Sequence, residues 1–168
     1  MQGIDIQTRR LSVEHITVAG PAPYHEVKNK LEARLGRLHD GIRKLLAEND
    51  IAGVRKALEE AAGKDGLAIH YVGVHGDWLA LEGQRRNTTA YLIGNVLYAV
   101  QMTKVDLAAG LYAPLRVVLY ESEAGGSVFE YDKPSSLFGQ FDEPEIDAVA
   151  KILDAKLLAL LSDVLQLA

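Results

Sequence analysis

Cysteine is absent from this 168-residue chain. With it go thiolate nucleophiles, thiol redox centres, iron–sulfur clusters, zinc ribbons and the disulfide staples of small secreted domains. Nowhere do about 18 uncharged apolar residues run together, and the first ten residues lack the apolar core that a signal peptide requires. A basic surplus is missing as well. Eighteen Lys and Arg stand against 23 Asp and Glu, a formal charge of −5, whereas a phosphate-binding surface needs clustered cations to displace counterions. No internal repeat, low-complexity tract or linker interrupts the chain. These absences predict a cytoplasmic protein in a reducing compartment, with neither membrane nor nucleic acid among its partners.

The residues that are present describe a self-sufficient globular unit. Apolar residues make up 48% and charged residues 24%, far from the signature of disorder. A chain of this length buries roughly 68–70% of its unfolded surface around one core. The expectation is one domain over residues 1–168, with a core from about 10 to 165 and a helical insertion at about 37–63.

Arg10 to Ala19 is a β-branched run that reads as a strand, stopped by Pro21 and Pro23. Tyr24, Val27, Leu31, Leu35 and Leu38 recur at spacings of three and four, the stripe of a helix facing a core. Gly36, Asp40-Gly41 and Asn49-Asp50 divide this region into two or three helices, the last running from about Ile51 to Ala62 and stopped by Gly63 and Gly66. Leu67 to His75 reads as a second strand with a turn at His75-Gly76-Asp77, and Thr88 to Ile93 as a third. Gly94-Asn95 opens a short helix from Val96 to Val105. Leu115–Glu121 and Ser127–Asp132 form a hairpin about the Gly125-Gly126 turn. The clearest helix follows, with Ile146, Val149, Leu153, Leu157, Leu160 and Val164 in register. Asp142 and Glu145 are placed to cap it in a variant of the capping box. Ile152, Leu158, Leu161 and Leu165 widen its apolar arc, as a subunit contact on its second side would require. This order of elements predicts an α+β fold in two layers, a largely antiparallel sheet with helices gathered on one face.

Residues 91–95 (YLIGN), 111–121 (LYAPLRVVLYE) and 129–141 (FEYDKPSSLFGQF) resemble the bacterial and archaeal family known as domain of unknown function 302. The likeness spans roughly Arg10 to Leu161. In that family the Gly-Asn pair is commonly followed by Pro, and Val96 stands in its place here. The resemblance implies a curved, mainly antiparallel sheet packed against helices, like the TATA-box-binding-protein fold, often paired into dimers. It implies no activity.

Candidate functional residues are few. His70 and His75 lie an odd number of residues apart on one expected strand, so their side chains point to opposite faces and cannot share an ion without a bulge. His25 and His39 read as helix-surface residues and His15 as a packed or sheet-surface residue. Gly94 and Asn95, at a helix start, present backbone N–H groups to an anion, with Arg85 or Arg86 near in sequence, although a strand-to-helix junction needs the same two residues for structure alone. Arg116, Val118 and Tyr120 alternate with Leu115, Val117 and Leu119, which leaves a second sheet face too apolar for ordinary solvent. Ser135 and Ser136 lack the Gly-x-Ser-x-Gly elbow of a hydrolase. Three readings stay open. The leading one is a non-enzymatic homodimer that binds a small anionic or amphipathic ligand, or a partner protein, near Gly94, Asn95 and Arg116, with no metal and no cofactor. The second is an enzyme with His75 as general base and Tyr112 or Arg116 polarising the substrate. The third is an assembly surface alone.

Overall fold

The computed structural model describes residues 3–166. A six-stranded sheet forms its frame, from β1 (His15–Gly20) at one edge through β6 (Ser127–Asp132), β5 (Leu115–Glu121), β4 (Thr88–Gly94) and β3 (Ala68–Gly73) to β2 (Gly36–Arg37) at the other. Every pairing is antiparallel except β2 with β3. The helices are α1 (Tyr24–Arg34), α2 (Asp40–Ala47), α3 (Ile51–Ala62), α4 (His75–Trp78), α5 (Val96–Thr103), α6 (Pro134–Phe138) and α7 (Pro144–Val164). The fold is therefore α+β with an open, mostly antiparallel sheet. Among the described residues no helix is long and apolar enough to cross a membrane.

Alternation along the strands separates the two faces of the sheet. Ile93, Leu115, Val117, Leu119 and Phe129 are buried and share one core with Val27 and Leu31 of α1 and Leu153, Leu157 and Leu160 of α7. Their neighbours Leu92, Arg116, Val118 and Glu130 lie in register on the opposite face, where Arg116 is exposed and the other three are partly so. The β5–β6 hairpin spans the residues expected of it. Helix α7 buries all six residues of the expected stripe, and Leu161 and Leu165 too, whereas Ile152 and Leu158 remain about half exposed.

Several local expectations are corrected. The first strand begins at His15, not Arg10, because its partner β6 ends at Asp132 and α6 begins at Pro134, which has no N–H to extend a ladder. Beyond that point Glu14 is held differently, its carbonyl accepting from Lys133 N (2.8 Å) and its N–H donating to Ser136 Oγ (3.0 Å). Gly36 begins a strand where only a helix break was expected. A Cβ there would sit 2.1 Å from the Ala61 carbonyl oxygen, so α3 rests directly on this backbone. His39 precedes α2 in extended conformation instead of lying within a helix. His75-Gly76-Asp77 is the first turn of α4, not a turn closing the strand.

The capping box of α7 does not form. Asp142 adopts a left-handed conformation (φ 54°) that ends the preceding 3₁₀ turn. Glu143 becomes the N-cap, without a side-chain cap bond, because the residue before Pro144 must be extended.

Phe129 is fully buried at the centre of this core. Phe129→Ala should cost about 3–5 kcal/mol, seen as a lower urea midpoint at an unchanged slope.

Candidate functional site

Two concave places lie against the sheet. The first is the uncovered face. Its strands bring His15 of β1 opposite Asp132 of β6, with Glu130 two residues back on the same face. His15 Nδ1 lies 3.0 Å from Asp132 Oδ1 and Nε2 lies 3.2 Å from Glu130 Oε2. Tyr120 donates its hydroxyl to Glu130 Oε1 at 2.7 Å. The chain of contacts thus runs Tyr120, Glu130, His15, Asp132.

Both imidazole nitrogens face carboxylates, which favours the doubly protonated ring. The hydrogen bond to Asp132, then that to Glu130, raises the His15 pKa above 6.5. Glu130 is held below the usual carboxylate range by Tyr120 first and His15 second. The two carboxylates thus favour the protonated form of His15.

Beside this network the face is apolar. Tyr71, Ala90, Leu92 and Val118 line a concavity of about 340 Å³ together with Arg116, Glu130 and Asp132. Arg116 is exposed, and among the described residues no carboxylate lies within ion-pair distance of it. It also lines a second concavity of about 320 Å³ at the Leu115 end of the sheet, walled by Leu92, Leu111, Tyr112, Pro114 and Leu137 and bordered by Asp132. One unpaired guanidinium therefore sits where two mostly apolar hollows meet.

The second place is at the same end of the sheet, behind Pro114. Register shifts between Ile69 and Tyr71, so that His70 is an extra residue on β3 opposite β4. Such a bulge re-aims a side chain. Here the imidazole lies beside Gly94, where a built Cβ would stand 3.5 Å from His70 Nε2 and 3.1 Å from Pro114 Cβ. A side chain here would crowd Pro114. Nε2 is buried and meets no hydrogen-bond partner among the described residues. Burial lowers the His70 pKa, opposed in part by the Gly94 backbone, which the ring approaches without completing a regular hydrogen bond, and the balance favours the neutral ring. It lines a hollow of about 190 Å³ with Val96, Tyr98, Ala99, Met102 and Leu153.

The expected residues divide between these places. Tyr112 and Arg116 share one hollow, Gly94 and Asn95 line the other, and Ala113, Pro114 and Leu115 form a wall common to both. Asn95 has its side chain fully engaged, accepting from Leu97 N (2.8 Å) and donating to Gly66 O (2.9 Å). Its role as an N-cap is thereby accounted for. Arg85 and Arg86 lie at the opposite end of β4 from Gly94, roughly 20 Å away along a seven-residue strand. There they border a separate hollow with Gly76, Asp77 and Asn87. His75 is exposed and also lies beyond that far end, so the chain does not bring it to Tyr112 and Arg116. Among the described residues no cluster of three or more His, Asp and Glu is arranged to hold a metal.

A family model, Domain of unknown function DUF302, matches residues 43–164. The chain belongs to this family. The match takes in Tyr120, Glu130, Asp132, Arg116 and His70, while β1 with His15 precedes it. A crystal structure of an uncharacterised conserved DUF302 protein from Bacillus stearothermophilus is similar, at a TM-score of 0.64 and 18% identity, covering 90% of this chain and 98% of that one. At that identity the likeness concerns the fold. No curated protein matches the chain.

The geometry of His15 fixes the sign of a pH effect. Its folded pKa is raised, so its contribution to stability is complete below about 6.5 and is lost as pH rises through the higher folded value. An NMR titration should place His15 above 6.5, and Asp132→Asn should move it back down. Stability of the wild type should fall over the same interval and flatten in the variant.

Proposed function

We propose that this protein is a non-enzymatic homodimeric binding module that takes a small amphipathic anion against Arg116. A two-layer domain of the TATA-box-binding-protein type, working in the cytoplasm, completes this reading, which the cysteine-free composition supports. The carrying observation is the position of Arg116, exposed and without an ion-pair partner among the described residues, at the meeting of two hollows walled by Leu92, Leu111, Tyr112, Val118 and Leu137 and bordered by Asp132 and Glu130, the two carboxylates that lie against His15. A guanidinium binds carboxylate through two parallel N–H donors, and its plane tolerates apolar neighbours better than an ammonium does. The anionic end of a ligand meets Arg116 while its aliphatic or aromatic body lies on Leu92 and Tyr112.

The second copy covers the open face. Val118 lies on β5, inside the sheet, with Ala90 and Glu130 in register on either side. An apolar sheet face of this kind is commonly buried by a two-fold partner.

Two measurements test the proposal. Octanoate or benzoate at a hundredfold its dissociation constant should raise the melting temperature by about 5–10 °C, and Arg116→Gln should remove that shift. Equal stabilisation of the variant, or none of the wild type by either carboxylate, rejects the ligand. In sedimentation equilibrium the wild type should run as a dimer and Val118→Glu as a folded monomer; a monomeric wild type rejects the second copy.

A further inference from the structure

The row of outward side chains that crosses the sheet at Arg116 places one carboxylate between a guanidinium and an imidazole. Register sets His15 of β1 opposite Asp132 of β6. On the other side of Asp132, the register that pairs Val118 with Glu130 and Val117 with Tyr131 runs on by one step to Arg116. Residues directly opposite in an antiparallel pair have Cβ atoms roughly 4.5–5.5 Å apart, well within the length of an arginine side chain. Arg116 and Asp132 accordingly border both hollows together. Yet Asp132 turns to the imidazole, its Oδ1 lying 3.0 Å from His15 Nδ1.

Glu130 is held differently. Tyr120 donates to one of its oxygens at 2.7 Å while His15 meets the other at 3.2 Å, so it keeps a partner whatever the state of the imidazole. Asp132 makes no side-chain hydrogen bond among the described residues except that to His15. The charged and titratable groups around His15 are few. Asp132 and Glu130 come from β6, Arg116 and the Tyr120 hydroxyl from β5, and the Tyr71 ring from β3 lines the same hollow. Glu14 and Lys133, which flank β1 and β6, pair with each other at 2.9 Å. On the buried face, Asp154 of α7 accepts from Ser135 N at 2.9 Å.

We propose that Asp132 is a built-in competitor of the anionic ligand for Arg116, and that protonated His15 keeps it away. The inference rests on the reading above that Arg116 receives an anion. While the imidazole carries its second proton, Asp132 is neutralised by it and Arg116 stands free. Once the ring loses that proton, it has a single N–H for two carboxylates. The charge that held Asp132 is then gone, and Arg116, its neighbour across the strands, takes it. The carboxylate that swings there occupies the parallel donors a ligand needs. His15 thereby couples affinity to pH, with capture in mildly acidic and release in mildly alkaline solution. Its two contacts favour the charged ring, so the change falls above the ordinary histidine value of about 6.5.

Octanoate is the probe, titrated calorimetrically into the intact protein at about pH 5.5 and about pH 9, a range over which a carboxylate stays ionised while histidine loses its proton. Wild-type affinity should fall by about three- to fivefold, the reach of one exposed ion pair. His15→Gln should bind at the weaker, alkaline value throughout, and adding Asp132→Asn to it should restore tight binding at both ends of the range. Asp132→Asn alone should bind tightly without dependence on pH. A ligand-free readout stands beside these: the ¹³Cζ resonance of Arg116 should move with the His15 titration in the wild type and stay still in Asp132→Asn. An affinity that does not fall, a fall that survives Asp132→Asn, or an Arg116 resonance that ignores His15 overturns the inference and leaves a carboxylate site at Arg116 intact. Octanoate that binds at neither pH rejects that site instead. The Arg116 resonance then decides the exchange alone: movement that Asp132→Asn abolishes upholds it, and no movement overturns it.

Discussion

Among the described residues the helices pack on one face of the sheet and leave the other partly exposed, and the whole architecture follows from that asymmetry. The covered face removes Ile93, Val117, Leu119 and Phe129 from water, the dominant favourable term in folding. Helix α7 brings eight buried residues to this layer. Its 21 residues reach about 31 Å, which spans several strands at their spacing of about 4.8 Å. The same strands must then present every second side chain to the outside, so one-sided packing creates the surface on which His15, Arg116, Tyr120 and Glu130 meet.

Polar groups tie the helical layer to the sheet at defined points. Tyr24 of α1 shares a 2.6 Å hydrogen bond with buried Thr89 of β4. Tyr91, whose hydroxyl is pushed to a higher pKa by burial and by Glu32, donates to Glu32 Oε1 at 3.0 Å, and Lys28 and Arg37 balance that carboxylate. Arg34 grips Asp65 through two donors at 2.8 Å and also reaches Asp163 of α7. Each removed or half-buried charge thus has an opposite charge beside it, which is the condition under which such groups are tolerated. Their value lies in orientation: they set where α1 and α7 lie over the strands more than how strongly they adhere.

The elements legible in the sequence were those whose signal is local and repeated. The β5–β6 hairpin and α7 carry their periodicities within a single stretch, so burial follows the pattern residue by residue. Elements created by a neighbour were not legible. Strand β2 is two residues long and exists because α3 holds Gly36 against β3. The N-cap of α7 is set by Pro144, which overrules the better capping chemistry of Asp142. The candidate sites divide along the same line. Alternation on β5 marked Arg116 as outward, and alternation on β6 marks Glu130 and Asp132 the same way, but His15 joins them only because β1 pairs with a strand far along the chain. The His70 bulge is a relation of register between two strands, and no single segment encodes it.

The edge pairing of β1 with β6 has a consequence for synthesis. His15 and Asp132 are 117 residues apart, so during translation at roughly 5–20 residues per second the first strand exists for several seconds before its ladder partner has been made. Throughout that interval its backbone donors and acceptors are free to be captured by other nascent chains. Its brevity and its interleaving of Ile16 and Val18 with His15 and Thr17 keep such a template weak. The modest first strand thereby serves the growing polypeptide as much as the finished one.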